Sequence, residues 1–365
     1  MNQETNRCDI KSQSRLVYLD IMRIIAIYAV IFIHTGKRGY FLFSTYDPNR
    51  FEFWFFLILS IFSKFAVALF YMISGGLLLN KQKNESLKSN WKRVARMAVI
   101  LLIISAFYYL TDKKEHSVRD FFVSLYSDNL KFHLWYLYAY LALLISLPLI
   151  KILVQNLDDK LLRYMIGVGI FFVGLLPVLE WVLGRNKATI NTNLNIRWLS
   201  STIILIPTLG YYVEHRLSIQ KIKKYLPFVW LLCIVLTGLC GYLTYIKWQE
   251  TGVLSESKSQ AFFNLFNMIY AMAIYMSIKK KYAERKLPCC LEKIISAVGK
   301  STFGVYLIHV FVMNLGWMIT LRNTMIEVMH PMVGIALFCL IVMIISSVMT
   351  IVLSKIPVIK KVLGY

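Results

Sequence analysis

Residues 16–35 read L-V-Y-L-D-I-M-R-I-I-A-I-Y-A-V-I-F-I-H-T, an apolar run interrupted by Asp20 and Arg23 and closed by His34 and Thr35. About 20 apolar residues is the length a helix needs to cross a bilayer. The run is too long for a secretory signal, carries two charges, and has no small-residue cleavage site after it, so it is expected to stay attached. Nine more such stretches follow, at 53–79, 94–111, 133–154, 163–183, 199–213, 225–246, 262–278, 301–320 and 332–354. This pattern predicts an all-α polytopic membrane protein of about ten transmembrane helices, forming one membrane-embedded domain over residues 1–365. The second stretch is long enough to be tilted, broken or to project from the membrane.

Composition agrees with that reading. The chain has 365 residues, 58% hydrophobic, 15% aromatic and only 16% charged, with a mean hydropathy of +0.59. So few charges do not cover a water-soluble surface, which excludes soluble globular, disordered, collagen-like and coiled-coil classes. The formal charge of +22 does not point to nucleic acid, because the basic residues sit between apolar runs and not on one face. Six cysteines without C-x-x-C spacing, and no cluster of metal-ligand type, give neither a disulfide framework nor a metal site. With the N-terminus inside, the cytoplasmic segments carry 26 Lys and Arg against 13 in the outer loops, so both termini are expected in the cytoplasm. The loops are short, which leaves any chemistry to the helices and their connections.

A charge inside hydrocarbon is costly and usually faces a protein interior or a wet cavity. Arg23 and His34 are eleven residues apart, and eleven steps of about 100° return to within roughly 20° of the same helix face. Their rise is about 16 Å, so a polar stripe runs from one leaflet towards the other. Asp20, one turn before Arg23, can pair with it. Residues 70–79, F-Y-M-I-S-G-G-L-L-L, place Ser74, Gly75 and Gly76 where a ligand or another backbone approaches closely. Lys92, Arg93 and Arg96 open the third span, with the two guanidinium groups one turn apart. That is a phosphate-binding arrangement, though ordinary positive-inside anchoring gives the same pattern. His133, Trp135 and Tyr136 stand in F-H-L-W-Y-L (132–137), and Tyr306 and His309 in S-T-F-G-V-Y-L-I-H (301–309). Glu180 and Lys64 are further intramembrane candidates. Ten spans with internal charges also suit a transporter or flippase, but the paired half-sequences usual there are missing.

Together these elements resemble the acyltransferase-three family of integral membrane acyltransferases. The opening R-x(10)-H, the S-G-G stretch, R-V-A-R (93–96), F-H-L-W-Y-L and the late Y-L-I-H occur in the family's order over most of the chain. It looks most like short stand-alone members that O-acetylate surface polysaccharides or their lipid-linked precursors. The resemblance implies a cytoplasmic acyl-CoA donor, acetyl-CoA first among them, and a glycan or lipid-linked sugar acceptor beyond a bacterial plasma membrane, with no metal. Carried onto this chain, His34 and Arg23 become the catalytic positions. Arg93, Arg96, Lys92, Ser74 and Gly75 fall to the donor, and His133, Trp135, Glu180, His309 and Tyr306 to the acceptor. His34 acting as a general base and a covalent acyl-histidine both stay open, as does a homo-oligomer.

Overall fold

Each of the ten apolar runs contains helix in the computed structural model, which describes residues 17–80, 86–112, 117–179, 196, 201–252, 260–285 and 287–356. The helices are α1 (Val17–Ile33), α2 (Phe51–Ser63), α3 (Phe65–Leu78), α4 (Leu87–Asp112), α5 (Val118–Ser127), α6 (Trp135–Asn156) and α7 (Asp159–Gly169). They continue with α8 (Thr202–His215), α9 (Ile219–Thr251), α10 (Gln260–Tyr282), α11 (Cys289–Met313), α12 (Gly316–Val328) and α13 (Pro331–Leu353). There is no strand among the described residues. The protein is an all-α polytopic membrane protein: seven helical segments among the described residues are long and apolar enough to cross a bilayer. Of the other three predicted spans, α1 and α8 are shorter, while α10 is longer but more polar and ends in Lys279, Lys280 and Lys281.

Two predicted spans differ in shape from the sequence reading. The run 53–79 is broken at Lys64, between α2 and α3. The run 301–320 straddles the end of α11 at Met313 and a separate α12, because α11 begins twelve residues earlier, at Cys289. The connection 112–131, read from the sequence as a loop, also holds a helix, α5, whose Ser117 side chain accepts from the Asp120 amide as an N-cap. Cys233, Cys240, Cys289, Cys290 and Cys339 are free thiols.

α1 is the hub. It packs against α2, α3, α10, α11 and α13, and residues from Tyr18 to Phe32 are buried on almost every side, as expected of a helix inside a bundle. Lipid tails are as apolar as leucine, so helices in a membrane are drawn together by close packing and not by water exclusion. The tightest seam joins α3 to α8. A Cβ built on Gly75 would stand 1.9 Å from the Pro207 carbonyl oxygen, and one on Gly210 would stand 2.0 Å from that of Met72. Two backbones therefore touch, each through the other's glycine.

The same end of the bundle holds a polar network. His215 Nε2 lies 2.7 Å from the Gly76 carbonyl, and Glu214 accepts hydrogen bonds from Tyr18 and from Tyr275, the latter at 2.9 Å. Lys279 lies 3.4 Å from the Glu214 carboxylate and donates to the Val213 carbonyl at 2.9 Å. Both charged side chains are about nine-tenths buried. Lys279, counted by sequence among the cytoplasmic loop charges, instead pairs with Glu214, and the two tie α1, α8 and α10 together.

Candidate active site

Two cavities lie along α1. The first, of about 500 Å³, is lined by Arg23 of α1, by Ser74 and neighbouring apolar residues of α3, and by Arg93 and Arg96 of α4. The second, of about 350 Å³, is lined by His34, Lys64, Tyr71, His133, Trp135 and Asn267, among others. Val30, Val67, Tyr136 and Tyr306 belong to the lining of both, so the cavities adjoin across that wall.

At the basic cavity, Arg23 Nη1 lies 2.5 Å from Asp20 Oδ1. The carboxylate has no exposed surface, and it packs against Gly299 of α11, where a Cβ would clash with it. Asp20 thus anchors the guanidinium while Arg23 faces the cavity. The helix of Arg93 and Arg96 starts at the Ser86 cap, whose hydroxyl accepts from the Ser89 amide at 3.2 Å. About two turns later Arg93 is half-buried and Arg96 exposed, and both face the cavity. Two of the residues read as donor contacts lie elsewhere. Lys92 is exposed and does not line the cavity, since one helical step turns it away from the Arg93 and Arg96 face. Gly75 meets the backbone of α8, so it is a packing position, while its neighbour Ser74 does line the cavity.

At the second cavity three imidazoles gather from three helical elements. The rings of His34 and His309 stack with centroids 5.0 Å apart, and His34 Nδ1 lies 2.8 Å from His309 Nε2. His133, from the 3₁₀ turn Phe132–Leu134 leading into α6, has its ring 5.3 Å from His309 and 6.1 Å from His34. Tyr306 donates to the His133 carbonyl, and the Tyr108 ring lies 5.1 Å from the His133 ring at 82°, which fixes His133 in place. His309 is fully buried and is not part of the cavity wall, so the residue read as an acceptor contact instead touches His34. Trp135 stands half-exposed at the cavity, and Tyr306 lines both spaces. Glu180 lies outside the described residues.

Sequence reasoning missed Tyr71 and Asn267. Among the described residues, the Tyr71 hydroxyl, the Asn267 side-chain oxygen and the His133 ring nitrogens are buried without a well-formed hydrogen bond. Buried polar groups are normally satisfied, so their convergence on one cavity marks a place for a polar ligand. Their only signal in the sequence was polarity within an apolar run. No group of three or more His, Cys, Asp or Glu among the described residues has a geometry that would hold a metal ion.

A helical membrane bundle with a basic cavity backing onto a histidine cavity has the parts of an integral membrane enzyme. The sequence matches the acyltransferase-three family, described as an acyltransferase domain, over residues 16–351, and the chain belongs to that family. It is a membrane acyltransferase. No curated protein and no solved structure matches it.

Proposed function

We propose that this protein takes a short acyl group, acetyl first among them, from acyl-CoA at the basic cavity and passes it to a hydroxyl of a glycan or lipid-linked sugar at the histidine cavity. The observation that carries this reading is the shared wall: the cavity of Arg23, Arg93 and Arg96 and the cavity of His34 meet at Val30, Val67, Tyr136 and Tyr306. The donor fits the first cavity by chemistry. Its phosphates suit guanidinium groups at the mouth, and its thin arm suits the apolar lining beyond them. In this reading, which the positive-inside bias supports, the basic cavity opens to the cytoplasmic side, where acyl-CoA is made, and the histidine cavity lies towards the far side of a bacterial plasma membrane.

In this scheme the acceptor hydroxyl oxygen attacks the thioester carbonyl while His34 takes its proton. The C–O bond forms, the C–S bond breaks, and the thiolate recovers that proton from His34. Arg23 holds the donor and takes no part in the proton transfer. The unsatisfied Tyr71, Asn267 and His133 supply hydrogen bonds for the acceptor. Membership of an acyltransferase family, together with this division into a basic and a histidine cavity, favours acyl transfer over transport.

The test is transfer of radiolabelled acetyl from acetyl-CoA to glycan in membranes carrying the protein. His34→Ala should abolish transfer while acetyl-CoA still binds. Undiminished turnover in that variant would remove His34 from the chemistry.

A further inference from the structure

His309 has two acceptors on one side and an imidazole on the other. Its Nδ1 lies 2.8 Å from the Tyr306 carbonyl oxygen and 3.2 Å from that of Val305, both on its own helix α11. A carbonyl only accepts, so Nδ1 must carry the hydrogen. A neutral imidazole has one N–H, which leaves Nε2 of His309 as a lone pair. That lone pair lies 2.8 Å from His34 Nδ1, so His34 Nδ1 must be the donor. His34 is then left with a bare Nε2. The alternative, an imidazolium at His309, would bury a charge that bonds only to carbonyls and a neutral ring, which is costly.

We infer that His309 is the positioning residue of the acyl-transfer site: through its bond to His34 it selects the Nδ1–H tautomer of that ring and so presents Nε2 as the proton acceptor. The inference rests on the reading of His34 as the base, but it concerns the free protein and can fail separately. When His34 Nε2 takes the acceptor's proton, the cation formed still donates from Nδ1 to His309 Nε2, and a charge-assisted bond of this kind is stronger than the neutral one. No proton leaves the pair until the thiolate recovers it. The logic is that of a base held by a third group, here a second imidazole in place of a carboxylate.

The experiment is ¹⁵N NMR of imidazole-labelled protein without substrate, in which protonated and bare ring nitrogens resonate far apart. The chain has 6 histidines, and the His34 signals are identified by their loss in His34→Gln. His34 should show a protonated Nδ1 and a bare Nε2. His309→Leu should mix or reverse the two and lower kcat by about 10²-fold, the scale of general-base catalysis, with KM for acetyl-CoA little changed. In His309→Gln the amide oxygen can accept from His34 Nδ1–H, so this variant should restore the tautomer and most of the turnover. A protonated Nε2 on His34 in the unsubstituted protein would overturn the inference, as would a His309→Leu spectrum and kcat identical to the parent's. If His309→Leu does not fold, the parent and His309→Gln spectra still decide. Loss of turnover in His34→Ala with the opposite tautomer would sink this inference and leave the assignment of His34 standing.

Discussion

Asp20 and Arg23 form an ion pair at the edge of the basic cavity, with the carboxylate fully buried. Removing one member of a buried pair strands the other, at a cost of up to about 3–5 kcal/mol. Arg23→Ala is therefore expected to lower the thermal stability of the purified protein as well as its activity, and activity alone would mislead. Arg23→Lys keeps a cation near Asp20 but loses the planar fork. It should hold Tm within a few degrees while raising KM for acetyl-CoA roughly tenfold, the worth of about one charge-assisted hydrogen bond. An unchanged KM in Arg23→Lys would mean that the guanidinium serves only the fold. This pair was legible from the sequence because its members are one helical turn apart. His34 with His309, and Glu214 with Lys279, were not, because each pair joins distant helices and no single-helix periodicity reports on such contacts. Lys279 also sits at a span end, where a count of positive loop charges absorbs it, and that count takes no notice of Glu214.

At the scale of elements, the seam between α3 and α8 decides what the small residues mean. In one sequence a glycine beside a serine reads equally as room for a ligand or room for a helix. The structure divides the two roles between neighbours: Ser74 faces the basic cavity and Gly75 faces Pro207. Gly75→Ala and Gly210→Ala each put a methyl where main-chain atoms already lie, and a backbone cannot step aside as a flexible side chain can. Each is expected to destabilise by about 1–3 kcal/mol or more, read as lost folded yield and a lower unfolding temperature in detergent. Normal stability in both would show that the seam gives way. The positions of the apolar runs were readable from hydropathy, but their breaks were not. Lys64 interrupts α2 and α3, and Asn314 and Leu315 separate α11 from α12, yet the surrounding residues stay apolar across both breaks.

Across the whole molecule, guanidinium groups and imidazoles occupy separate but adjoining cavities. Arg23, Arg93 and Arg96 line the first cavity, and His34 and His133 line the second, beyond the shared wall. Arg93→Ala combined with Arg96→Ala should raise the dissociation constant for acetyl-CoA well over tenfold, measured by equilibrium binding, with little change in acceptor KM. The difference should shrink as salt rises, because Arg96 is exposed and its field is screened. Equal losses for donor and acceptor would place these arginines in anchoring the fold and not in donor binding.

The seam between α3 and α8 also limits how this enzyme can open. Helices whose main chains interlock travel as one plate, so nothing is admitted to the bundle by parting them. The facing side is tied differently, by the buried Asn90 amide reaching across from α4 to the Leu144 carbonyl of α6 at 2.9 Å. Side-chain packing with one such hydrogen bond yields more readily than two interlocked main chains, so a parting of α4 from α6 costs less than a parting of α3 from α8.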